Sequence, residues 1–339
     1  SDVGGSELNM VSSIVSQVSR QVPLVSWRKI EDLLEFDRRS LVLLAEQAGR
    51  YYKPFDRRKL SGQGKWRHID NPQDDLKAIQ KRIQQRLLLH LSFPDTIVGG
   101  IRKRSIIDHA KFHLRKPCVV TLDIKGCFPS ISNERVFRVF QNSLNASPQI
   151  ARILTQLTTF QHRLPQGAPT SPTIANLALL PLHNDLLRLA EQSDLDLSIY
   201  VDDIALSGDN AVVVKVIESA CDLIRKHGFR VSWSKLNVQS ISRPQTITGL
   251  KVNRRIDLPR EFLVSIDSSI RKLADSEIIF ERDLNAIWGR IKYVKYVRPT
   301  VGLLLEETAR RCLPEKGCPG GKHRWETRTC ARFNRDHSK

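Results

Sequence analysis

Leu197-Ser-Ile-Tyr-Val-Asp-Asp-Ile-Ala-Leu206 is the stretch that decides the fold, because it sets two adjacent carboxylates inside an apolar segment. Burying charge without a compensating partner is costly, so the pair needs a reason to be there. Neighbouring side chains on a plain strand point to opposite faces, and both acids can face one site only where a turn breaks that alternation. The stretch therefore predicts two strands joined by a turn at Asp202 and Asp203. Taken alone, the pair fits a solvated turn equally well.

A third acid, Asp123, ends the apolar run Cys118-Val-Val-Thr-Leu-Asp123, which predicts a buried strand. Alone, this residue could simply cap a helix. Together with the later pair it supplies three hard oxygen ligands, which suit Mg²⁺, an ion that binds through one or two carboxylates plus substrate phosphates. Two such ions about 3.5–4 Å apart can activate an attacking hydroxyl and stabilise a leaving oxygen. The three acids therefore predict a site for nucleotidyl transfer, which needs little else beyond positioning and charge.

The charge balance points to the same class of partner. The chain of 339 residues carries 54 Lys and Arg against 36 Asp and Glu, a formal net charge of +18. Such an excess favours a polyanion, since each neutralised phosphate releases counterions, so nucleic acid is the first expectation and an acidic membrane surface the second. No run of about 18 apolar residues is found, so no membrane span is expected. The six scattered cysteines fit a reducing, intracellular setting.

Apolar periodicity predicts the elements around the acids. A helix is expected over residues 74–91, and another begins at Ser171, with Pro181 expected to bend or break it. Alternating apolar residues at positions 229–233 predict a strand. Further expectations are a basic hairpin at residues 59–69, a helix over 212–227 and an amphipathic helix around 284–291.

Four segments, taken in order, resemble the motifs of reverse transcriptases. They match that family's first acid motif, its nucleotide-contacting loop and helix, its tyrosine-x-aspartate-aspartate box, and its lysine after the palm helix. In the box, Val201 replaces the usual small residue. The chain is similar to the retron type of bacteria, because Gln166-Gly-Ala-Pro-Thr-Ser-Pro172 is typical of that branch. Residues 105–113 and 246–253 resemble two further retron elements. The four segments are Leu122–Ile131, Leu164–Asn176, Tyr200–Asp203 and Trp233–Lys235.

The resemblance implies an α+β fold of the right-hand polymerase type, with fingers, a palm containing an antiparallel sheet, and a helical thumb. The expected division is a tag- or linker-like N-terminus at 1–20, fingers and N-terminal helices at 21–118, a palm with part of the fingers at 119–255, a thumb at 256–311, and a basic Cys-containing tail at 312–339.

The resemblance also implies a role for each site residue. Asp123 and Asp202 would hold two Mg²⁺ ions (Mn²⁺ able to substitute), with Asp203 a weaker ligand and Ile124 completing the set. Lys235 would donate a proton to the leaving pyrophosphate or neutralise it. Phe128 would exclude a ribose 2′-hydroxyl. The other substrate contacts would be Lys65 and Arg67 on the triphosphate, with Gln166, Gly167 and Tyr200 around the nucleotide.

The implied reaction is the addition of deoxynucleoside triphosphates to a primer hydroxyl on an RNA template. In a retron-type enzyme, a dedicated structured non-coding RNA serves as template and primer and yields an RNA–DNA hybrid, in anti-phage defence, in the bacterial cytoplasm and with an effector protein. The expected RNA contacts are His109, His113, Thr248, Gly249, Arg290, Lys292 and Lys295. The rivals are a defence-associated or group II intron-like polymerase without a dedicated RNA, a catalytically silent RNA-binding scaffold, and a metal-dependent nuclease.

Plainer interpretations stand beside these assignments. Phe128 could be core packing, and Gln166-Gly167 an ordinary turn. Lys235 could lay its carbon stem over an apolar strand face. Lys65 and Arg67 could be a solvated surface, and His109 and His113 could be structural. The tail residues Cys312, Cys318, His323 and Cys330 lack a Cys-x-x-Cys pair, so zinc is not expected there.

Overall fold

The computed structural model describes residues 24–58, 66–276 and 278–314. The chain divides into two compact units, Ser1–Ser240 and Ile241–Lys339. Among the described residues, no helix is both long and apolar enough to cross a membrane.

A four-stranded antiparallel sheet forms the centre of the first unit. Its strand order is β4-β5-β3-β6, so the two acid-bearing strands β3 and β5 are central neighbours. Five of the six β3 residues are buried, because helices α8 and α9 pack against the sheet. Its strands are β3 (Cys118–Asp123), β4 (Asp196–Tyr200), β5 (Asp203–Gly208) and β6 (Asn237–Ser240), and the two helices are α8 (Ser171–Gln192) and α9 (Asn210–Lys226).

Helices and one long hairpin precede the first strand of the sheet, and further helices lie between β3 and β4. Strands β1 (Tyr52–Arg58) and β2 (Trp66–Pro72) pair antiparallel over their whole length. Of the predicted basic hairpin at 59–69, residues 66–69 lie in β2, whose partner strand β1 precedes the predicted stretch, and residues 59–65 lie outside the described residues. The helices are α1 (Trp27–Leu34), α2 (Arg38–Gln47), α3 (Asp74–Ile83), α4 (Ile106–Lys111), α5 (Cys127–Ser130), α6 (Asn133–Leu144) and α7 (Pro148–Thr158).

The second unit is a short hairpin followed by three helices. Strands β7 (Thr246–Ile247) and β8 (Leu250–Lys251) pair through a two-residue turn. Asp257 is bonded to Lys251 through the main chain and to Arg298 through two 3.1 Å contacts. The three helices are α10 (Arg260–Ala274), α11 (Glu281–Val297) and α12 (Pro299–Cys312).

The end of the palm at residue 255 stays a prediction. The division between the two compact units falls at Ser240, the last residue of β6. The physical reason is that β7 and β8 are bonded to the segment around Asp257, which is ion-paired with Arg298 at the start of α12.

Three local predictions are corrected. The helix from Asp74 is α-helical only to Ile83 and continues as a π-turn over Gln84–Leu88. Pro181 lies inside α8, which remains continuous through it. The expected strand at 229–233 is absent: Val231 makes one isolated bridge to Ile124, and a 3₁₀ turn over Trp233–Lys235 follows.

Candidate active site

The three predicted acids meet where β3 ends and β4 turns into β5. Tyr200 pairs with Asp203 across the hairpin, so Val201 and Asp202 form its two-residue turn. Asp123 pairs with Asp203 in the β3–β5 register. The N–H of Ile124 donates to the carbonyl of Asp202 at 3.1 Å. The sheet register therefore brings together acids that are about 80 positions apart in the chain.

The turn is strained at Val201. This residue has φ = +59°, a conformation that a β-branched side chain rarely adopts. Such strain persists only where the surroundings impose it, and it is concentrated at functional sites. A residue without a branched Cβ would carry less strain at this position.

The carboxylates shift one another's proton affinity. Burial, then the charges of Asp202 and Asp123, raise the pKa of Asp203 to about 7. Burial and the charge of Asp123 likewise raise the pKa of Asp202 above its usual value. A cluster of this kind is stabilised by a cation, because like charges in a desolvated site disfavour ionisation.

Lys235 supplies one such cation. Its ammonium group donates to Oδ2 of Asp123, and the main chain supports this contact because the N–H of Ser232 donates to the carbonyl of Asp123 at 2.8 Å. Burial opposes the charged form, but the hydrogen bond to Asp123 and the charges of the three acids raise the pKa of Lys235. Lys235 therefore stays protonated, on a 3₁₀ turn rather than on the apolar strand face that the plainer interpretation required.

The donor set fits a divalent metal in its chemistry. Asp123, Asp202 and Asp203 provide carboxylate oxygens, and Ile124 lies against Asp202. Within residues 24–58, 66–276 and 278–314, no three His, Cys, Asp or Glu side chains are already arranged to hold an ion. Mg²⁺ needs only one or two carboxylates, with water and substrate phosphates completing its octahedron.

Phe128 lies five residues after Asp123, in the short helix α5. It is half-buried in α5 and packs against the hydrophobic core, so the core-packing interpretation is correct for part of its surface. The neighbouring Cys127 is buried, and burial together with the charges of Asp202 and Asp123 raises the pKa of its thiol. The gate role of Phe128 stays a prediction.

Gln166 and Gly167 are fixed against β2. The N–H of Asp70 donates to the carbonyl of Gln166 at 2.8 Å, and the N–H of Gln166 donates to Oδ2 of Asp70 at 3.2 Å. Gly167 has φ = +125°, and a Cβ there would lie 2.7 Å from Cγ2 of Ile69. Only glycine satisfies both the conformation and the close approach.

The hairpin also carries a predicted triphosphate contact. Arg67 is exposed on β2. Burial and the charge of Asp123 raise the pKa of Asp202, and the positive charge of Arg67 is among the groups that oppose this rise. Lys65, its predicted companion, lies outside the described residues. Tyr200 is half-buried at the end of β4 and faces the ring of His109 at 5.7 Å between centroids.

Segment 96–100 supports the turn on the side of β4. Thr96 accepts from the N–H of Ile199 at 2.7 Å, and the N–H of Val98 donates to the carbonyl of Ile199 at 2.8 Å. A Cβ on Gly99 would lie 2.6 Å from the nitrogen of Val201. The main chain of the acid-bearing turn therefore rests directly on Gly99.

Comparison with known proteins agrees with this geometry. Residues 56–252 match the family model described as reverse transcriptase (RNA-dependent DNA polymerase), which covers more than half of the chain. The chain belongs to the reverse transcriptase family. The matched range contains the acids, Lys235 and the Gln166-Gly167 loop, and the predicted α+β class with its antiparallel palm sheet is confirmed.

Curated relatives place this reverse transcriptase with the retron type. It is 29% identical over 241 residues to the Retron Se72 reverse transcriptase of Salmonella heidelberg (strain 579083-10), which covers 69% of this chain and 63% of that one. It is 31% identical over 284 residues to the Retron Mx65 reverse transcriptase of Myxococcus xanthus, covering 78% and 65%. The match to these two relatives thus spans less than two thirds of their own length. Retron Ec86 reverse transcriptase of Escherichia coli is 28% identical over 236 residues, covering 69% and 73%.

Among solved structures, the chain is similar to a foamy viral protease-reverse transcriptase in complex with ds DNA. The sequence identity is 16% and the TM-score 0.47, with 89% of this chain and 46% of that chain covered.

The retron-like histidines are not at the surface. His109 and His113 are both buried, and Ser198 Oγ lies 2.7 Å from a ring nitrogen of each. His113 also contacts Ser207 Oγ at 2.7 Å. Burial lowers the pKa of His109 to about 4 and that of His113 well below its usual value, so both imidazoles are neutral. The predicted RNA contact is corrected: these histidines support the palm strands from within.

The remaining predicted RNA contacts lie in the second unit. Thr248 and Gly249 form the β7–β8 turn, with φ of +44° and +83°. Arg290 is held by Ser265 and Ser269 and lies over the Phe262 ring, so its guanidinium serves helix packing. The last two predicted contacts are Lys295, which is 2.8 Å from Glu306, and Lys292, which is exposed.

The cysteine-containing tail is described only at its start. Cys312 is a free thiol at the end of α12. Cys318, His323 and Cys330, like the predicted N-terminal segment at 1–20, lie outside the described residues.

Sequence analysis missed three supporting residues of the site, Gly99, Asp70 and Arg163. Asp70 is fully buried and receives Arg163 at 3.3 Å. Asp70 is one of the buried or half-buried residues that follow the exposed start of β2, and no pattern in the sequence marked its burial. No signal marked Gly99 or Arg163, because each acts on a segment far away in sequence.

Proposed function

We propose that this protein is an RNA-directed DNA polymerase of the retron type. The observation that carries the proposal is the meeting of Asp123, Asp202 and Asp203 at one point of the palm sheet, with Lys235 bound to the first of them. Family membership supports the same reaction class.

The acids would hold the divalent metals. Asp123 and Asp202 would be the principal ligands, with Asp203 and the main chain of Ile124 beside them. Bound there, two Mg²⁺ ions would supply activation of the primer hydroxyl and charge stabilisation of the leaving oxygen. Asp203, whose pKa is raised to about 7, keeps its proton more readily than an ordinary carboxylate and would therefore be a weaker ligand.

The protein's own side chains would bind and orient the nucleotide. Arg67 would contact the triphosphate, and the Gln166-Gly167 main chain would lie against the incoming base and sugar. Phe128 would close the space that a ribose 2′-hydroxyl requires. Lys235, which stays protonated, would donate its proton to the pyrophosphate or neutralise its charge.

The retron relatives support a more specific role. We propose that the template and primer are one structured non-coding RNA, that the product is single-stranded DNA linked to that RNA, and that the system acts in anti-phage defence with an effector protein. The four described cysteines are free thiols, which fits a bacterial cytoplasm.

The test combines primer extension with extraction of bound nucleic acid. Wild-type protein should extend a primer on an RNA template with Mg²⁺, and protein purified from its native locus should carry a discrete RNA-linked DNA. Asp202→Asn should lose both, because it removes a ligand charge at the reacting centre. Asp222→Asn is the matched control, since this exposed carboxylate only pairs with Arg225 on α9.

The outcomes separate the rival functions. Primer extension by protein that carries no bound DNA would support the polymerase activity and contradict the use of a dedicated RNA. Activity that survives Asp202→Asn would point away from these acids, and RNA binding without extension would favour a silent scaffold.

A further inference from the structure

Asp70 is the most deeply buried carboxylate near the site. Its residue exposure is 0%, and it lies on β2 with three partners around it. Arg163 approaches both of its oxygens, Nη1 to Oδ2 at 3.3 Å and Nη2 to Oδ1 at 3.4 Å. The Nε2 of His68 lies 3.4 Å from Oδ1, and Gln166 donates its N–H to Oδ2 at 3.2 Å. A buried charge of this kind is retained only when several donors satisfy it.

The partners of Asp70 come from two segments that the sequence separates widely. Arg163 and Gln166 belong to the loop after α7, more than 90 positions further along the chain. That loop begins with a tight turn in which Phe160 and Arg163 exchange main-chain bonds of 2.9 and 3.1 Å. The Phe160 ring stacks on Tyr52 of β1 at 4.3 Å between centroids. Arg163 is therefore presented to Asp70 by a turn that is itself anchored to the hairpin.

The junction links two parts that handle the substrate. Arg67, the proposed triphosphate contact, is three residues before Asp70 on the same strand. Gln166 is bonded to Asp70 through both its N–H and its carbonyl, and Gly167 lies against Ile69. Any displacement of Asp70 therefore changes the distance between the triphosphate contact and the nucleotide loop.

We infer that Asp70 and Arg163 are positioning residues that set nucleotide affinity by locking the Gln166-Gly167 loop onto β2. This inference rests on the proposed polymerase function. Neither residue needs to touch the nucleotide. They hold the loop and the hairpin in the one arrangement that binds it, so less ordering is required when the nucleotide arrives.

The test is a double-mutant cycle in which KM and kcat are measured separately for each variant. Asp70→Asn keeps the shape and an acceptor for the Gln166 N–H but removes the charge that holds Arg163. Arg163→Gln removes the guanidinium, which is about a quarter exposed (26%) and can be replaced with less disturbance. Glu134→Gln is the matched control, because it breaks a surface Glu–Arg pair on α6 whose side chains are 70% and 67% exposed.

Each single variant should raise the KM for deoxynucleoside triphosphates by about 10-fold, the size expected for one charge-assisted hydrogen bond. The kcat and the Kd for primer–template should stay near wild type. The double variant should be no worse than the worse single variant, since the two residues act as one unit. Glu134→Gln should change none of these values.

A purely structural role would give a different pattern. It would lower the melting temperature and the fraction of active enzyme, which reduces kcat and leaves KM unchanged. That pattern, or strictly additive effects in the double variant, would overturn the inference. If Asp70→Asn does not fold, the KM of Arg163→Gln for deoxynucleoside triphosphates tests the inference by itself.

Direct binding of a deoxynucleoside triphosphate, measured in parallel, keeps this inference separate from the proposed function. If wild-type protein binds the nucleotide but extends no primer, the proposed polymerase function is wrong. Weaker nucleotide binding by the two variants would still support the positioning role of Asp70 and Arg163. Equal nucleotide binding by wild type and variants would overturn the positioning role of Asp70 and Arg163, even if primer extension is normal. Wild-type protein that binds no nucleotide would overturn both.

Discussion

Replacing Gly99 by alanine is expected to move the acid-bearing turn and slow catalysis. The new Cβ would lie 2.6 Å from the nitrogen of Val201 and 2.7 Å from the carbonyl carbon of Tyr200. Packed heavy atoms are separated by about 3.5–4.0 Å, so the turn must retreat by roughly 1 Å. The neighbours are main-chain atoms, which cannot rotate away as the end of a flexible side chain could.

The size of the effect follows from that displacement. A misplacement of about 1 Å at a reacting centre can cost about 10²-fold in rate. We therefore expect the kcat of Gly99→Ala to fall by about 100-fold, with a loss of about 1–3 kcal/mol in the free energy of unfolding from overpacking.

The assay is steady-state primer extension beside thermal unfolding. Gly49→Ala is the matched control in the same compact unit, because a Cβ there meets nothing within 4 Å. Its kcat should equal that of wild type. If folded Gly99→Ala extends primers at the wild-type rate, Gly99 does not position the turn and the reasoning is refuted.

The other predictions concern proton affinity, the buried histidines and the second unit. In the folded protein the pKa of Asp203 is about 7, whereas in the unfolded chain an Asp has an ordinary pKa of about 3.9. Between these pH values only the folded state keeps the proton, so the free energy of unfolding of the metal-free protein should fall as pH rises. Asp203→Asn should therefore raise the melting temperature at pH 8 by about 2–4 °C and lose this advantage at pH 4; an equal gain at both pH values would contradict it. His113→Ala should lower the free energy of unfolding by about 2–4 kcal/mol in chemical denaturation, since it removes the contact to Ser207 and leaves Ser198 with His109 alone, without changing RNA affinity in a filter-binding assay of the folded protein. In the second unit, Lys292→Ala should weaken RNA binding and reduce its salt dependence at unchanged stability, whereas Arg290→Ala should mainly destabilise the helices; a reversal of these two effects would show that the helix-packing role is misassigned.

The sequence was sufficient to predict the palm and its acids. A turn between two apolar strands and a strand ending on Asp123 follow from local patterning, since short apolar runs bounded by turn signals indicate buried strands. The order of the motifs then indicated the family. Lys235 was also predicted, although on a strand that proved to be a 3₁₀ turn, because alternating apolar residues do not distinguish a strand from an extended segment with one bridge.

The tertiary structure decided which residues share a neighbourhood. The burial of His109 and His113 depends on two serines of strands β4 and β5, about 85–94 positions away. Their spacing on a helix alone fits an exposed RNA contact equally well.

What the sequence by itself determined is therefore the chemistry: three carboxylates, a lysine and a glycine-containing loop, in the order of a reverse transcriptase. What only the tertiary structure decided is the positioning, in which Gly99 supports the turn and Asp70 joins the hairpin to the nucleotide loop. The physical reason is that catalytic groups are recognised by their type and local spacing, whereas supporting groups act through contacts between segments that the chain keeps far apart.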